Sequence, residues 1–122
     1  MRKLTKKGNG MKVDIESVKQ IIKHYGYRHQ MVKACEELSE LQTVILQEVN
    51  KHDKYPVEDI ASLTEELADC YVVLKEVELI NCLDDRDISP IIEAKLARTL
   101  ERIDNERWKK EGENEETNVH RR

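Results

Sequence analysis

Apolar residues recur along most of this chain at three- and four-residue steps, the spacing of a helix that buries one face. Ile15, Val18, Ile21 and Ile22 predict a first helix over residues 14–25, with Asp14 as its N-cap and Gly26 as its left-handed stop. Met31, Ala34, Cys35, Leu38, Leu41, Ile45 and Val49 predict a long second helix over 28–50. The pattern breaks at 51–56, and Pro56 suits the entry to a third helix over 57–80, with Ile60, Leu63, Leu67, Cys70, Leu74 and Val77 turned inward. After a polar connection at 81–87, Ser89-Pro90 reads as a helix start, an N-cap followed by proline at the first helical position. Ile91, Ile92, Leu96, Leu100 and Ile103 carry that fourth helix to about Lys110. The expected architecture is all-α, a four-helix bundle whose second and third helices are long and central.

The ends of the chain lack this periodicity. Residues 1–12 are basic, contain Gly8 and Gly10, and read as a flexible arm. Residues 111–122 are polar and of mixed charge, the composition of a disordered tail. Between them, 13–110 forms a single helical domain, as expected of a chain of 122 residues. With no Phe, its core must be built mainly from Leu, Ile and Val.

Charge narrows the function classes. Lys and Arg number 21 against 25 Asp and Glu, a net charge of −4, which argues against nonspecific nucleic-acid binding, because that needs excess cations. No apolar run approaches the roughly 20 residues of a membrane span, and no apolar signal region follows the basic start. A soluble, cytoplasmic protein without membrane partners is expected. Cys35, Cys70 and Cys82 are odd in number and lack metal-site spacing. Cys35 and Cys70 fall on apolar faces and are expected to be buried as small hydrophobes.

The chemistry lies in the acids. The second helix contains EELSE (Glu36, Glu37, Glu40) and the third contains EELAD (Glu65, Glu66, Asp69). Each motif places an acid directly before an inward leucine, Leu38 or Leu67, and another three residues later, on the same side one turn on. In antiparallel helices these four acids converge, and carboxylates at close range either take up protons or hold a cation. An all-oxygen set favours Mg²⁺, with Mn²⁺ as a substitute. Either pair alone is ordinary solvated helix surface; two pairs in the same phase on adjacent helices point to a site. A carboxylate-bridged di-iron bundle needs Glu-x-x-His on two helices, and none of His24, His29, His52 or His120 has a Glu three residues before it.

The pair of motifs resembles the EExxE…ExxD signature of the all-alpha nucleoside triphosphate pyrophosphohydrolases, the MazG-like group, over about residues 29–79. The resemblance implies a Mg²⁺-dependent helical enzyme, a homodimer or homotetramer, that splits an NTP or dNTP into the monophosphate and pyrophosphate. It implies Glu37, Glu40, Glu66 and Asp69 as metal ligands, with Glu36 and Glu65 as outer acids. Glu36, unassigned as a ligand, is the candidate for activating water. Gln30 and Lys33 precede the acids by one or two turns and are candidates for substrate phosphate or base, although Lys33 equally suits an ordinary salt bridge to Glu37. Lys95 and Arg98 are candidate phosphate contacts on the fourth helix, where KLARTLERI lacks the Asn that such enzymes often carry. Tyr71 is expected in the core, and Trp108 in packing or a subunit contact. The competing reading is a non-catalytic helical interaction or oligomerisation protein whose acids are a solvated face.

Overall fold

The computed structural model describes residues 12–51 and 53–120. Among these there are four helices and no strand: α1 (Ile15–Tyr25), α2 (Tyr27–Lys51), α3 (Ile60–Ile80) and α4 (Asp85–His120). The all-α class therefore holds. The chain divides into two compact units, Met1–Cys82 and Leu83–Arg122. The expected basic arm lies, apart from Lys12, outside the described residues.

Local chemistry sets the helix ends. The Asp14 carboxylate accepts a hydrogen bond from the Ser17 backbone N–H at 3.2 Å, capping α1. Gly26 ends α1 at φ 93° and ψ 159°, and its N–H donates to the Ile22 carbonyl at 2.8 Å. The same glycine carbonyl accepts from the Gln30 N–H at 3.2 Å, so one residue joins α1 to α2. Helix α3 begins at Ile60 rather than at 57, because Asp59 is its N-cap and accepts from the Ser62 N–H at 3.1 Å. Helix α4 begins before Ser89-Pro90, so the connection preceding it is shorter than 81–87. There the Asp84 carboxylate accepts from the Arg86 N–H at 2.8 Å, and Asp87 accepts from the Asp84 N–H at 3.0 Å. Pro90 consequently lies inside the helix. At the other end α4 continues through His120, where the sequence suggests disorder from residue 111; the stretch contains no proline, and its one glycine is Gly112.

In the first unit, α2 and α3 pack against each other and α1 packs on both. The contacts Gln30–Glu76, Glu37–Cys70 and Met31–Asn81 run in opposite senses along the two chains, so α2 and α3 are antiparallel. Val18, Ile22, Ala34, Cys70 and Val73 are buried, together with the polar Gln30, Glu37, Glu48 and Glu76. On α2 the buried and half-buried positions are 30, 34, 37, 41, 44 and 48, a regular alternation of four- and three-residue steps. Ala34 and Leu41 of the expected stripe lie on this face, but elsewhere the face runs one residue earlier, at 30, 37, 44 and 48 in place of 31, 38, 45 and 49, a turn of about 100°. Leu38 and Leu67 are 42% and 39% exposed, and Ile45, Val49 and Leu74 are likewise exposed. Cys35 and Tyr71, expected inside, are exposed for the same reason, whereas Cys70 is buried as expected.

On α4 the stripe Ile91, Ile92, Leu96, Leu100 and Ile103 is present and exposed, as is Trp108.

Gly26 combines positive φ with extended ψ, a region almost confined to glycine, and an added Cβ would meet nothing within 4 Å. Gly26→Ala should therefore destabilise the protein through backbone strain alone, by about 1–3 kcal/mol in denaturant melts. An unchanged midpoint would show that the α1–α2 corner relaxes without cost.

Candidate metal centre

The shifted phase decides where the acids point. Glu37 occupies an inward position of α2 and is 7% exposed, while Glu66 is half-buried on the facing side of α3. One turn along each helix, Glu40 and Asp69 stand at the rim of the same interface, both exposed. One carboxylate oxygen from each of Glu37, Glu40, Glu66 and Asp69 lies within 4.8 Å of the others. All four acids expected to converge do so.

Two features show how poorly the protein alone satisfies this cluster. Oε2 of Glu37 and Oε2 of Glu66 are buried and have no hydrogen-bond partner among the described residues. Such an atom has lost its water without replacement and leaves an acceptor for a donor or a cation. The carboxyl groups also oppose one another. Burial raises the Glu66 pKa, and repulsion from Glu40, Asp69 and Glu37 raises it further. Burial likewise raises that of Asp69, with Glu37 and Glu65 adding to the rise and Lys33 opposing it.

These residues fit a hard divalent cation. The donor set is all carboxylate, and the spread of 4.8 Å slightly exceeds the separation of about 4.2 Å between opposite oxygens around octahedral Mg²⁺. Small side-chain movements, or bound waters, would close the difference.

The other candidates stand outside the four-acid cluster. Lys33 Nζ lies 3.1 Å from Glu37 Oε1 and 3.8 Å from Glu36 Oε2, so both interactions are ion pairs on its own helix, and the first raises its pKa. Glu36 has a side chain 60% exposed and stands outside the four-acid cluster. Gln30 is buried, and its amide nitrogen is occupied by Glu76, at 3.1 and 3.0 Å from the two carboxylate oxygens. As placed, that nitrogen serves the protein rather than a substrate. Lys95 and Arg98 are exposed residues of α4. Cys70 touches the centre only by donating from Sγ to the Glu37 carbonyl at 3.5 Å. Its pKa is raised, first by burial, which keeps it a thiol rather than a nucleophilic thiolate.

Sequence reasoning missed Glu48 and Glu76, both buried. The signal was available: Glu76 follows Asp69 by two helical turns, and Glu48 follows Glu37 by three. Each stands on the inward phase of its helix once that phase is set by the acids instead of the leucines.

Compared with protein-family models, curated proteins and solved structures, the chain matches none.

The raised pKa of Asp69 has a definite sign for stability. Its folded-state pKa lies above the ordinary value of 3.8, so ionised Asp69 costs the fold stability, and the cost disappears as pH falls through the raised value. In chelator, Asp69→Asn should melt higher than wild type at pH 7, and the gap should shrink on acidification towards pH about 4. A gap that is absent, or that widens in acid, would show that Asp69 is an unperturbed surface acid.

Proposed function

We propose that this protein is a Mg²⁺-dependent nucleoside triphosphate pyrophosphohydrolase, which hydrolyses an NTP or dNTP to the monophosphate and pyrophosphate. The observation that carries the reading is the convergence of Glu37, Glu40, Glu66 and Asp69, with a buried unpartnered oxygen on each of Glu37 and Glu66. A solvated acidic face would leave Glu37 in water; instead it is 7% exposed. The resemblance of EELSE and EELAD to the MazG-like signature supplies the reaction class.

In this reading the four acids hold the ion, which would neutralise the polyphosphate and lower the pKa of a water. Lys33 stands at the edge of the cluster as a cation for substrate phosphate and restrains Glu37 through their 3.1 Å ion pair. Glu36 lies outside the ligand set and faces solvent, which leaves its carboxylate available to take a proton from the attacking water. The exposed stripe of Leu38, Ile45, Val49, Leu67 and Leu74 offers a surface for a homodimer or homotetramer.

That stripe also favours the second reading, a non-catalytic helical oligomer. Catalysis separates the two. Wild type should release pyrophosphate from at least one NTP or dNTP with Mg²⁺ and none with chelator. Glu37→Gln, Glu40→Gln, Glu66→Gln and Asp69→Asn should each reduce turnover at least a hundredfold with helical circular dichroism intact, while Glu101→Gln on α4 should not. Absence of pyrophosphate release across the full panel would leave the oligomer. Loss in Glu101→Gln equal to that in the four would dissolve the site.

Mg²⁺ should also stabilise the fold, because the ligands converge only in the folded chain. At a hundredfold excess over its dissociation constant the gain should be about 2.7 kcal/mol, read as a rise in melting temperature. Mg²⁺ that leaves wild-type melting unchanged would count against the centre.

A further inference from the structure

A cavity of about 500 Å³ opens beside the α1–α2 corner, lined by Tyr25, Arg28, His29, Val32, Lys33 and Glu36. Two cations and a histidine stand there against a single acid, in a chain whose net charge is −4. Lys33 belongs both to this lining and to the edge of the four-acid cluster, since its Nζ lies 3.1 Å from Glu37 Oε1. His29, Lys33 and Glu37 follow one another at four-residue steps, so they stand on one side of α2 at intervals of about 6 Å. An extended ligand anchored at the acids can therefore reach the cavity past Lys33.

Two contacts fix the His29 ring. Tyr25 stacks on it, with ring centroids 5.0 Å apart and planes at 16°. On its edge, Nδ1 lies 2.7 Å from Gln30 Oε1. Glu76 decides which atom of that second contact holds the hydrogen. It is 1% exposed, and its two oxygens lie 3.1 and 3.0 Å from Gln30 Nε2. A carboxylate only accepts, so the Gln30 amide nitrogen must face Glu76 and its oxygen must face His29. That oxygen has no hydrogen to give, which makes His29 Nδ1 the donor. Nε2 is then the free nitrogen of the ring. In the neutral ring it is a bare acceptor, and it becomes a donor only when a second proton is taken up.

We propose that this cavity binds the pyrophosphate portion of the substrate, with Arg28 and Lys33 as cations and His29 Nε2 donating to a phosphate oxygen from the doubly protonated ring. This rests on the hydrolase reading above and gives it a subsite for the leaving group. A triphosphate bound to one divalent cation is still anionic, so the site needs positive charge beyond the ion at the acids. Arg28 brings a planar fork of donors suited to phosphate oxygens. The neutral His29 ring would present a lone pair to those oxygens, so pyrophosphate binding draws a proton onto it from solvent. Arg28, Lys33 and Glu36 are the charged groups that share the cavity with this ring. The two cations oppose its second proton until phosphate neutralises them. Tyr25 and Gln30 are positioning residues: one sets the plane of the ring, the other decides which nitrogen stays free.

The test is titration of the full chain with inorganic pyrophosphate in Mg²⁺, read by calorimetry and by ¹⁵N NMR of the histidines at pH 8. Pyrophosphate release from the NTP and dNTP panel is measured on the same preparation. In free wild type the His29 signals should place the hydrogen on Nδ1, and added pyrophosphate should convert them to the doubly protonated form. Arg28→Gln and His29→Asn should each weaken pyrophosphate binding at least tenfold, since a charge-assisted hydrogen bond lost costs about a factor of ten or more. Lys19→Gln, which removes the same charge from α1, should leave that affinity unchanged. Hydrogen on Nε2 in free wild type, or His29 signals unmoved by pyrophosphate, would overturn the proposal without any variant. So would wild-type affinity in folded Arg28→Gln and His29→Asn, or an equal loss in Lys19→Gln. Any of these results together with NTP turnover would remove the subsite and keep the hydrolase. A pyrophosphate complex with doubly protonated His29, but no turnover of any triphosphate, would keep the subsite and remove the hydrolase.

Discussion

The first unit is organised around two antiparallel helices that meet along acidic rather than purely apolar positions. Carboxylates are expensive to bury, and like carboxylates facing one another more so. Yet α2 and α3 place Glu37 and Glu66 on their shared side, and each leaves an oxygen there with no hydrogen-bond partner among the described residues. Ala34, Cys70 and Val73 supply the apolar contact that holds the helices together, while α1 adds Val18 and Ile22. The packing therefore tolerates an electrostatic cost at the place where a cation would repay it.

Much of this was legible in the sequence, and the failures share one cause. Helix periodicity located all four helices, and the Asp14 cap and Gly26 stop follow from side-chain and backbone chemistry that acts within one turn. The repeated acid spacing identified the four residues that converge. What periodicity cannot give is which edge of a broad apolar band meets the neighbouring helix. Leu38 and Glu37 are adjacent in sequence, so a reading that turns leucines inward misplaces the interface by one residue. That single shift explains why Leu38, Leu67, Cys35 and Tyr71 are exposed and why Glu48 and Glu76 are buried. The early start of α4 had a plain local cause, since Asp84 and Asp87 cap it ahead of the more familiar Ser-Pro signal.

The same shift links the two halves of the functional account. Because the acidic phase faces inward, Gln30 and Glu76 come to lie beside the metal-ligand candidates, and the leucine phase is left on the surface.

The central claim is that the four acids hold a divalent cation in the folded chain. Mn²⁺, a close substitute for Mg²⁺, reports this directly, because its electron paramagnetic resonance signal falls when the ion leaves free solution for a protein site. Titrated into wild type it should show saturable binding at a small whole number of ions per chain, and Mg²⁺ should displace it. In Glu66→Gln that saturable phase should be lost. Wild type that leaves the free Mn²⁺ signal unchanged, or a Glu66→Gln variant that binds as well as wild type, would contradict the account.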